Sequence, residues 1–207
     1  VIGAGLGGLA AGAVLVTAGF KTLVAERVSF VGGRCGTLEY KGFYLPTGAI
    51  WLSDEIHGDL CRAVGAPFDL RIIDPPYYFR MGGKDYPAPI SGIFRSMFGH
   101  ASKDEGEIVR VMKAFKKAIV WQEPSMNISL YDWLMQYTDN QTIAGIMRAF
   151  VAMDTGLNHF ELPAGEFFKF VKETSFVKRG GFLAQGGGTL TQALAKVVRE
   201  KGGDIWT

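Results

Sequence analysis

The sequence predicts an α/β fold: an amino-terminal βαβ unit, a mostly helical insertion after it, and a return of the chain to the first unit. Three observations predict it. A glycine-punctuated apolar run, Val1 to Phe20, opens the chain, and helical periodicity fills the middle from about Ser91 to Lys172. A glycine-rich crossing from Gly180 then leads into an amphipathic helix and the first residues of a strand. The segments are 1–70 for the first part of the βαβ domain, 71–179 for the helical domain and 180–207 for the return.

Composition narrows the function classes. With 48% hydrophobic and 13% aromatic residues, the 207-residue chain can bury a substantial core. A net charge of +2 with acidic and basic residues intermixed gives no basic stripe, which argues against nucleic acid as a partner. Two cysteines, Cys35 and Cys61, read as interior residues of a reducing compartment, and three scattered histidines offer no metal cluster. The expected location is therefore cytoplasmic. The opening run is broken by Gly3, Gly5, Gly7, Gly8, Gly12 and Gly19 and lacks a basic leader, so it reads as neither a membrane span nor a signal peptide. Val1-Ile2 reads as the end of a strand and Asp204-Ile205-Trp206 as the start of one, so the chain is expected to be a fragment cut at both ends.

The hexad Gly3-Ala4-Gly5-Leu6-Gly7-Gly8 fits G-x-G-x-x-G, the fingerprint of a Rossmann-type dinucleotide site. Gly3 permits the tight turn out of the strand, Gly5 lets the backbone approach a pyrophosphate, and Gly8 lets the next helix pack close to the sheet. The helix N-terminus offers free N–H groups and the positive end of its dipole. Leu9 to Ala18 reads as that helix, Gly19 as its stop and Lys21 to Ala25 as the second strand. Glu26 ends the strand 18 residues after Gly8, where a carboxylate should accept hydrogen bonds from a ribose. A short linker then brings Gly32-Gly33-Arg34, where a nicotinamide enzyme would continue into another helix and strand.

These residues carry a resemblance. Val1-Ile2-Gly3-Ala4-Gly5-Leu6-Gly7-Gly8-Leu9-Ala10-Ala11, then Glu26, then Gly32-Gly33-Arg34, resemble the flavin amine oxidase and phytoene desaturase superfamily. The resemblance implies FAD as cofactor, held at Gly3, Ala4, Gly5, Leu6, Gly7, Gly8, Glu26, Arg27, Gly32, Gly33, Arg34, Gly48 and Ala49. The arginine would fork hydrogen bonds onto phosphate oxygens. It continues through Thr37 and Gly42 to Trp51, with one departure: Pro46 stands where family members usually carry an Asp.

Along the rest of the chain, Asp54 to Val64 reads as a helix, with short strands at Leu70–Ile73, Tyr77–Met81 and Lys84–Tyr86. Ile108, Met112, Phe115 and Ile119 form a helical stripe, flanked by Lys113, Lys116 and Lys117. Further helices are expected at Ser129–Leu134, Asn140–Met153, Pro163–Lys172 and Thr191–Lys201, the last with an apolar face of Leu190, Leu194, Val197 and Val198. Phe94, Met97, Phe98, Phe150, Met153, Phe167, Phe168 and Phe170 suit either a plain core or a greasy substrate channel. The basic stretch Lys113 to Lys117 suits a solvated helix face or peripheral membrane contact.

The resemblance implies an FAD-dependent oxidoreductase that takes a hydride equivalent from a C–H bond of a hydrophobic small molecule, polyprenoid or carotenoid-like. A flavin amine oxidase is the alternative within the family, and a non-catalytic dinucleotide-binding protein the alternative outside it. A nicotinamide-dependent dehydrogenase would instead show regular βαβ alternation through residue 150. His57, His100 and His159 stand alone, and a lone histidine is more often structural or exposed than catalytic, so the general base stays unassigned; the sequence also leaves oligomeric state open.

Overall fold

A computed structural model describes residues 1–89, 91–121, 126–175 and 177–207. The chain forms two compact units, Val1–Ile73 with Val177–Thr207, and Asp74–Phe176. The first unit begins with an extended segment whose Ile2 bridges Ala25 in parallel. Helix α1 (Leu6–Thr17) follows at once, three residues earlier than its apolar pattern suggests, because glycines are tolerated in a first turn. Strand β1 (Leu23–Ala25) comes next, then a 3₁₀ turn over Gly33–Cys35. The hairpin of β2 (Thr37–Tyr40) and β3 (Phe43–Pro46) pairs Thr37 with Pro46 and Tyr40 with Phe43. After β4 (Leu52–Ser53), the expected helix at 54–64 splits into a π turn, Asp54–Gly58, and α2 (Asp59–Val64); β5 (Arg71–Ile72) completes this part.

The second unit joins one antiparallel pair, β6 (Tyr77–Met81) and β7 (Lys84–Ala88), to helices α3 (Ile93–Ala101), α4 (Glu105–Val120), α5 (Leu130–Leu134), α6 (Gln141–Thr155) and α7 (Ala164–Thr174). Three helices start where a short polar side chain can satisfy a free backbone N–H. Asp104 accepts from Gly106 N, Ser129 from Asp132 N, and Asn140 from Thr142 N and Ile143 N. Along α4 the buried positions are Ile108, Val111, Phe115 and Ala118, so the stripe sits one residue off the expected line and leaves Met112 and Ile119 half-buried. The lysines of α4 face solvent. Phe98, Phe115, Phe167 and Phe168 fill the core ring against ring, while Met153 is exposed. Among the described residues this unit contains no βαβ alternation, which removes the nicotinamide dehydrogenase architecture.

A polar knot fixes α4 within that core. The buried Glu107 carboxylate accepts from Ser102 Oγ, Thr138 Oγ1 and Asn140 Nδ2. The Ser102 bond, then the Thr138 bond, hold its carboxyl below the usual range. A carboxyl depressed in the folded state stabilises above the unfolded value, about pH 4.3, and loses that contribution as pH falls through the folded one. Glu107→Gln should therefore flatten the acid decline of stability between about pH 5 and pH 3. Urea unfolding across that range checks it; a decline unchanged in the variant would contradict the assignment.

The chain then returns to the first unit. Strand β8 (Gly180–Phe182) inserts between β4 and β5, pairing Gly181 with both Leu52 and Ile72. Helix α8 (Gly188–Glu200) buries Leu190, Leu194, Val197 and Val198, the expected apolar face. Strand β9 (Asp204–Trp206) lies parallel to β1, with Val24 opposite Ile205. The parallel order is thus the opening segment, β1 and β9, with α1 and α8 packed around Leu9, Val16 and Val24.

Candidate functional site: a glycine-lined phosphate cradle

Each glycine of the opening turn has its own physical reason. Gly3 has φ +94°, a region that side chains disfavour, and its N–H donates to Ala25 O at 2.7 Å as the chain turns into α1. A Cβ on Gly8 would lie 1.9 Å from Gly3 O, so the helix rests directly on the turn. One turn on, a Cβ on Gly12 would come 2.8 Å from Val24 Cγ2, which sets the closeness of α1 to the sheet. At Gly5 and Gly7 a Cβ would meet nothing within 4 Å, so bare backbone faces open space there. The first N–H groups of a helix have no intrahelical acceptor, and no acidic side chain occupies the first turn of α1. An anion fits this cradle in charge and in space.

Glu26 acts on the turn itself. Its Oε2 accepts from Ala4 N at 2.7 Å, and its Oε1 from Arg27 N and Val28 N at 2.8 and 3.1 Å. These bonds, Ala4 first and Val28 next, hold the carboxyl below its ordinary range. The carboxylate thus ties the end of β1 to the glycine turn, a role the sequence reading assigned only to ribose. Each carboxylate oxygen has two acceptor directions, so Oε2 keeps one for a sugar hydroxyl. Arg27 is exposed beside it.

The second glycine segment returns to the first. Gly32 N donates to Ala4 O at 2.7 Å, Gly5 and Gly32 form a parallel bridge, and a Cβ on Gly33 would sit 3.3 Å from Gly5 Cα. Arg34 is exposed, and its guanidinium has no ion-pair or hydrogen-bond partner among the described residues. The backbone of Arg34 supports the next segment: its carbonyl accepts from Ala49 N at 2.7 Å, and a Cβ on Gly48 would lie 2.8 Å from that oxygen. All the sequence-singled residues, from Gly3 to Gly8 through Glu26 and Gly32 to Arg34 and on to Gly48 and Ala49, therefore form one continuous patch.

Sequence reasoning missed three hydroxyls. Thr47 Oγ1 lies 2.9 Å from Gly33 O and 3.1 Å from Gly36 O. Thr37 Oγ1 accepts from Gly188 N at 2.9 Å, and Thr191 Oγ1 stands 3.0 Å from where a Cβ on Gly32 would be. Thr191 also reaches Gly188 O three residues back, but the partners of Thr47 and Thr37 lie 11 to 151 residues away, beyond any local pattern. Beside the turn opens a groove of about 330 Å³, with Thr37, Glu39, Tyr44, Gln185 and Gln192 in its walls.

His57, His159 and both cysteines sit in buried or hydrogen-bonded settings. His57 Nδ1 accepts from Ser53 N at 3.0 Å, and burial pushes its pKa down. His159 is buried, also with a lowered pKa, between the rings of Tyr131 and Phe160. Both cysteines are buried and free, and burial pushes the Cys61 thiol up to about 11. Among the described residues no cluster of three or more His, Cys, Asp or Glu could hold a metal, and no helix is long and apolar enough to cross a membrane.

Comparison with known proteins agrees with this geometry. Residues 1–64 match the family described as NAD(P)-binding Rossmann-like domain. An uncharacterized protein of Methanocaldococcus jannaschii is 28% identical over 99% of this chain and 50% of its own length. The zeta-carotene-forming phytoene desaturase of Myxococcus xanthus is 46% identical over 31% of this chain and 13% of its own length. The human all-trans-retinol 13,14-reductase is 33% identical over 42% of this chain and 16% of its own. A crystal structure of an oxidoreductase from Methanosarcina mazei superposes with a TM-score of 0.79 at 25% identity, covering 100% of this chain and 50% of that one. A putrescine oxidase shares the fold at TM-score 0.68 and 17% identity over 99% of this chain and 49% of that one. The chain thus spans about half the length of its full-coverage relatives.

Proposed function

We infer that this chain belongs to the FAD-dependent oxidoreductase superfamily, binds FAD in the glycine cradle and oxidises or reduces a hydrophobic, polyprenoid-like substrate. The observation that carries the cofactor is the contact of two glycine segments, Gly3–Gly8 and Gly32–Arg34, beside an unpaired guanidinium. Bare backbone at Gly5 and Gly7 admits the pyrophosphate, the α1 N-terminus and Arg34 offset its charge, and Glu26 accepts from the adenosine ribose. Gly48 and Ala49, packed on the Arg34 carbonyl, would carry the chain past the flavin. When bound, the cofactor supplies a two-electron acceptor for a hydride equivalent; the protein supplies grip and orientation. The polyprenoid class rests on the names of the desaturase and retinol reductase relatives. Amines remain the second substrate class on the shared fold with putrescine oxidase. In this reading the partner is a small apolar molecule met in the cytoplasm or at a membrane surface.

The test is the visible absorption spectrum of the purified protein, with mass identification of any released cofactor. Flavin bands with released FAD support the reading, and a colourless protein that refuses added FAD sinks it. Anaerobic bleaching by polyprenoids, against amines, then selects the substrate class. Arg34→Ala should raise the FAD dissociation constant about tenfold or more, since hydrogen bonds to charged groups contribute roughly 1.5–3 kcal/mol. Arg34→Lys should recover only part, because an ammonium cannot fork. Titration by flavin fluorescence measures both; an unchanged constant in Arg34→Ala would remove Arg34 from the site.

A further inference from the structure

We propose that Thr47 is a positioning residue for the phosphate-binding turn, an assignment that rests on the FAD reading for its ligand. Its backbone and hydroxyl engage the turn from one side. Thr47 N donates to Gly36 O at 3.1 Å, and the hydroxyl proton is shared between Gly33 O at 2.9 Å and Gly36 O at 3.1 Å. Ala49 N takes the carbonyl between them, Arg34 O, at 2.7 Å. The carbonyls of Gly33, Arg34 and Gly36 are thus all drawn toward residues 47–49.

The direction matters because a trans peptide points its N–H opposite to its carbonyl. The bond from Thr47 to Gly33 O therefore turns the Arg34 N–H away from residues 47–49. That N–H has no acceptor among the described residues, and neither has the guanidinium of the same residue. Thr47 accordingly orients one unpaired backbone donor, the Arg34 N–H, in a residue whose exposed guanidinium is also unpaired, a fit for a phosphate oxygen. The turn needs an external hold, since Gly32 and Gly33 have φ +119° and +54° and restrict the backbone little. Pro46, immediately before, has neither an N–H nor a hydrogen-bonding side chain, so it cannot provide that hold. Thr47 stands at the next position and does.

The experiment compares Thr47→Val, which keeps the branched shape and loses the hydroxyl, with Thr47→Ser, which keeps the hydroxyl. FAD affinity is titrated in each, alone and combined with Arg34→Ala, and amide hydrogen exchange is followed in the FAD-free proteins. Thr47→Val should weaken FAD about fivefold and Thr47→Ser less than about twofold, and because Arg34→Ala keeps the backbone N–H of residue 34, Thr47→Val should still weaken FAD in that background. The Gly36 amide, bonded to Gly33 O at 3.2 Å, should exchange faster in Thr47→Val alone. Unchanged affinity in Thr47→Val, or a loss in Thr47→Ser as large as in Thr47→Val, overturns the proposal. If the wild type itself binds no FAD, the cofactor reading fails, and exchange still decides: acceleration confined to residues 33–36 sustains the hold on the turn, and unchanged exchange overturns it.

Discussion

Gly8→Ala is expected to abolish flavin binding and to destabilise the first unit by about 3 kcal/mol or more. The added methyl group would stand 1.9 Å from Gly3 O and 3.0 Å from Gly3 C, both backbone atoms that no rotamer change can move. Relief requires sliding α1 along the sheet, and Gly12 leaves no slack, since its own Cβ would already meet Val24 and Val198. Gly7→Ala is the matched control. It adds the same group one residue away, where nothing lies within 4 Å, and should stay within about 0.5 kcal/mol of the wild type. Thermal melting of both variants and the flavin content of Gly8→Ala form the measurement, Gly7→Ala being a control for stability alone because Gly7 lines the cradle. A Gly8→Ala protein with wild-type melting and flavin content would refute the packing argument.

In the second unit the largest effect is expected at Phe115. Its ring is 1% exposed and sits 5.2 Å from Phe94, 5.2 Å from Phe168, 5.3 Å from Trp133 and 5.8 Å from Phe98. Those neighbours come from three other helices, α3, α5 and α7, so no single side chain can relax into the space. Phe115→Ala should cost about 3–5 kcal/mol, as buried aromatic truncations do when the cavity stays open. Met153→Ala, at a side chain 49% exposed, should cost less than about 1 kcal/mol. Urea unfolding separates them. Equal losses would mean that the aromatic cluster is not the core of this unit.

Legibility in the sequence followed the range of the interactions. The glycine turn, α1, β1 and the apolar face of α8 were readable because backbone conformation and periodicity repeat over a few residues. The three strands around residues 70–88 were readable from their bounding Pro75-Pro76 and Gly82-Gly83 pairs. The π turn at Asp54 was not, since its helical pattern is continuous, and the partner of its Asp54 carboxylate, Arg179 Nη1 at 2.7 Å, lies 125 residues away. The one-residue offset of the α4 stripe has a similar origin: Val111 and Ala118 read as weaker core residues than Met112 and Ile119 until the neighbouring helices are in place. In the site, residue types demanded by close backbone approach were visible. The threonine hydroxyls and the second role of Glu26 were not, because a hydroxyl or carboxylate on a backbone group leaves no spacing rule behind.

The pairing of β1 with β9 also sets an order of events during synthesis. Val24 leaves the ribosome 181 residues ahead of its partner Ile205, a delay of roughly 10–40 s at typical elongation rates of about 5–20 residues per second. Everything from Asp74 to Phe176 is made within that interval and contains its own core. The later-made unit should therefore reach its native state first, and the glycine cradle, though it leaves the ribosome ahead of that unit, should mature after it.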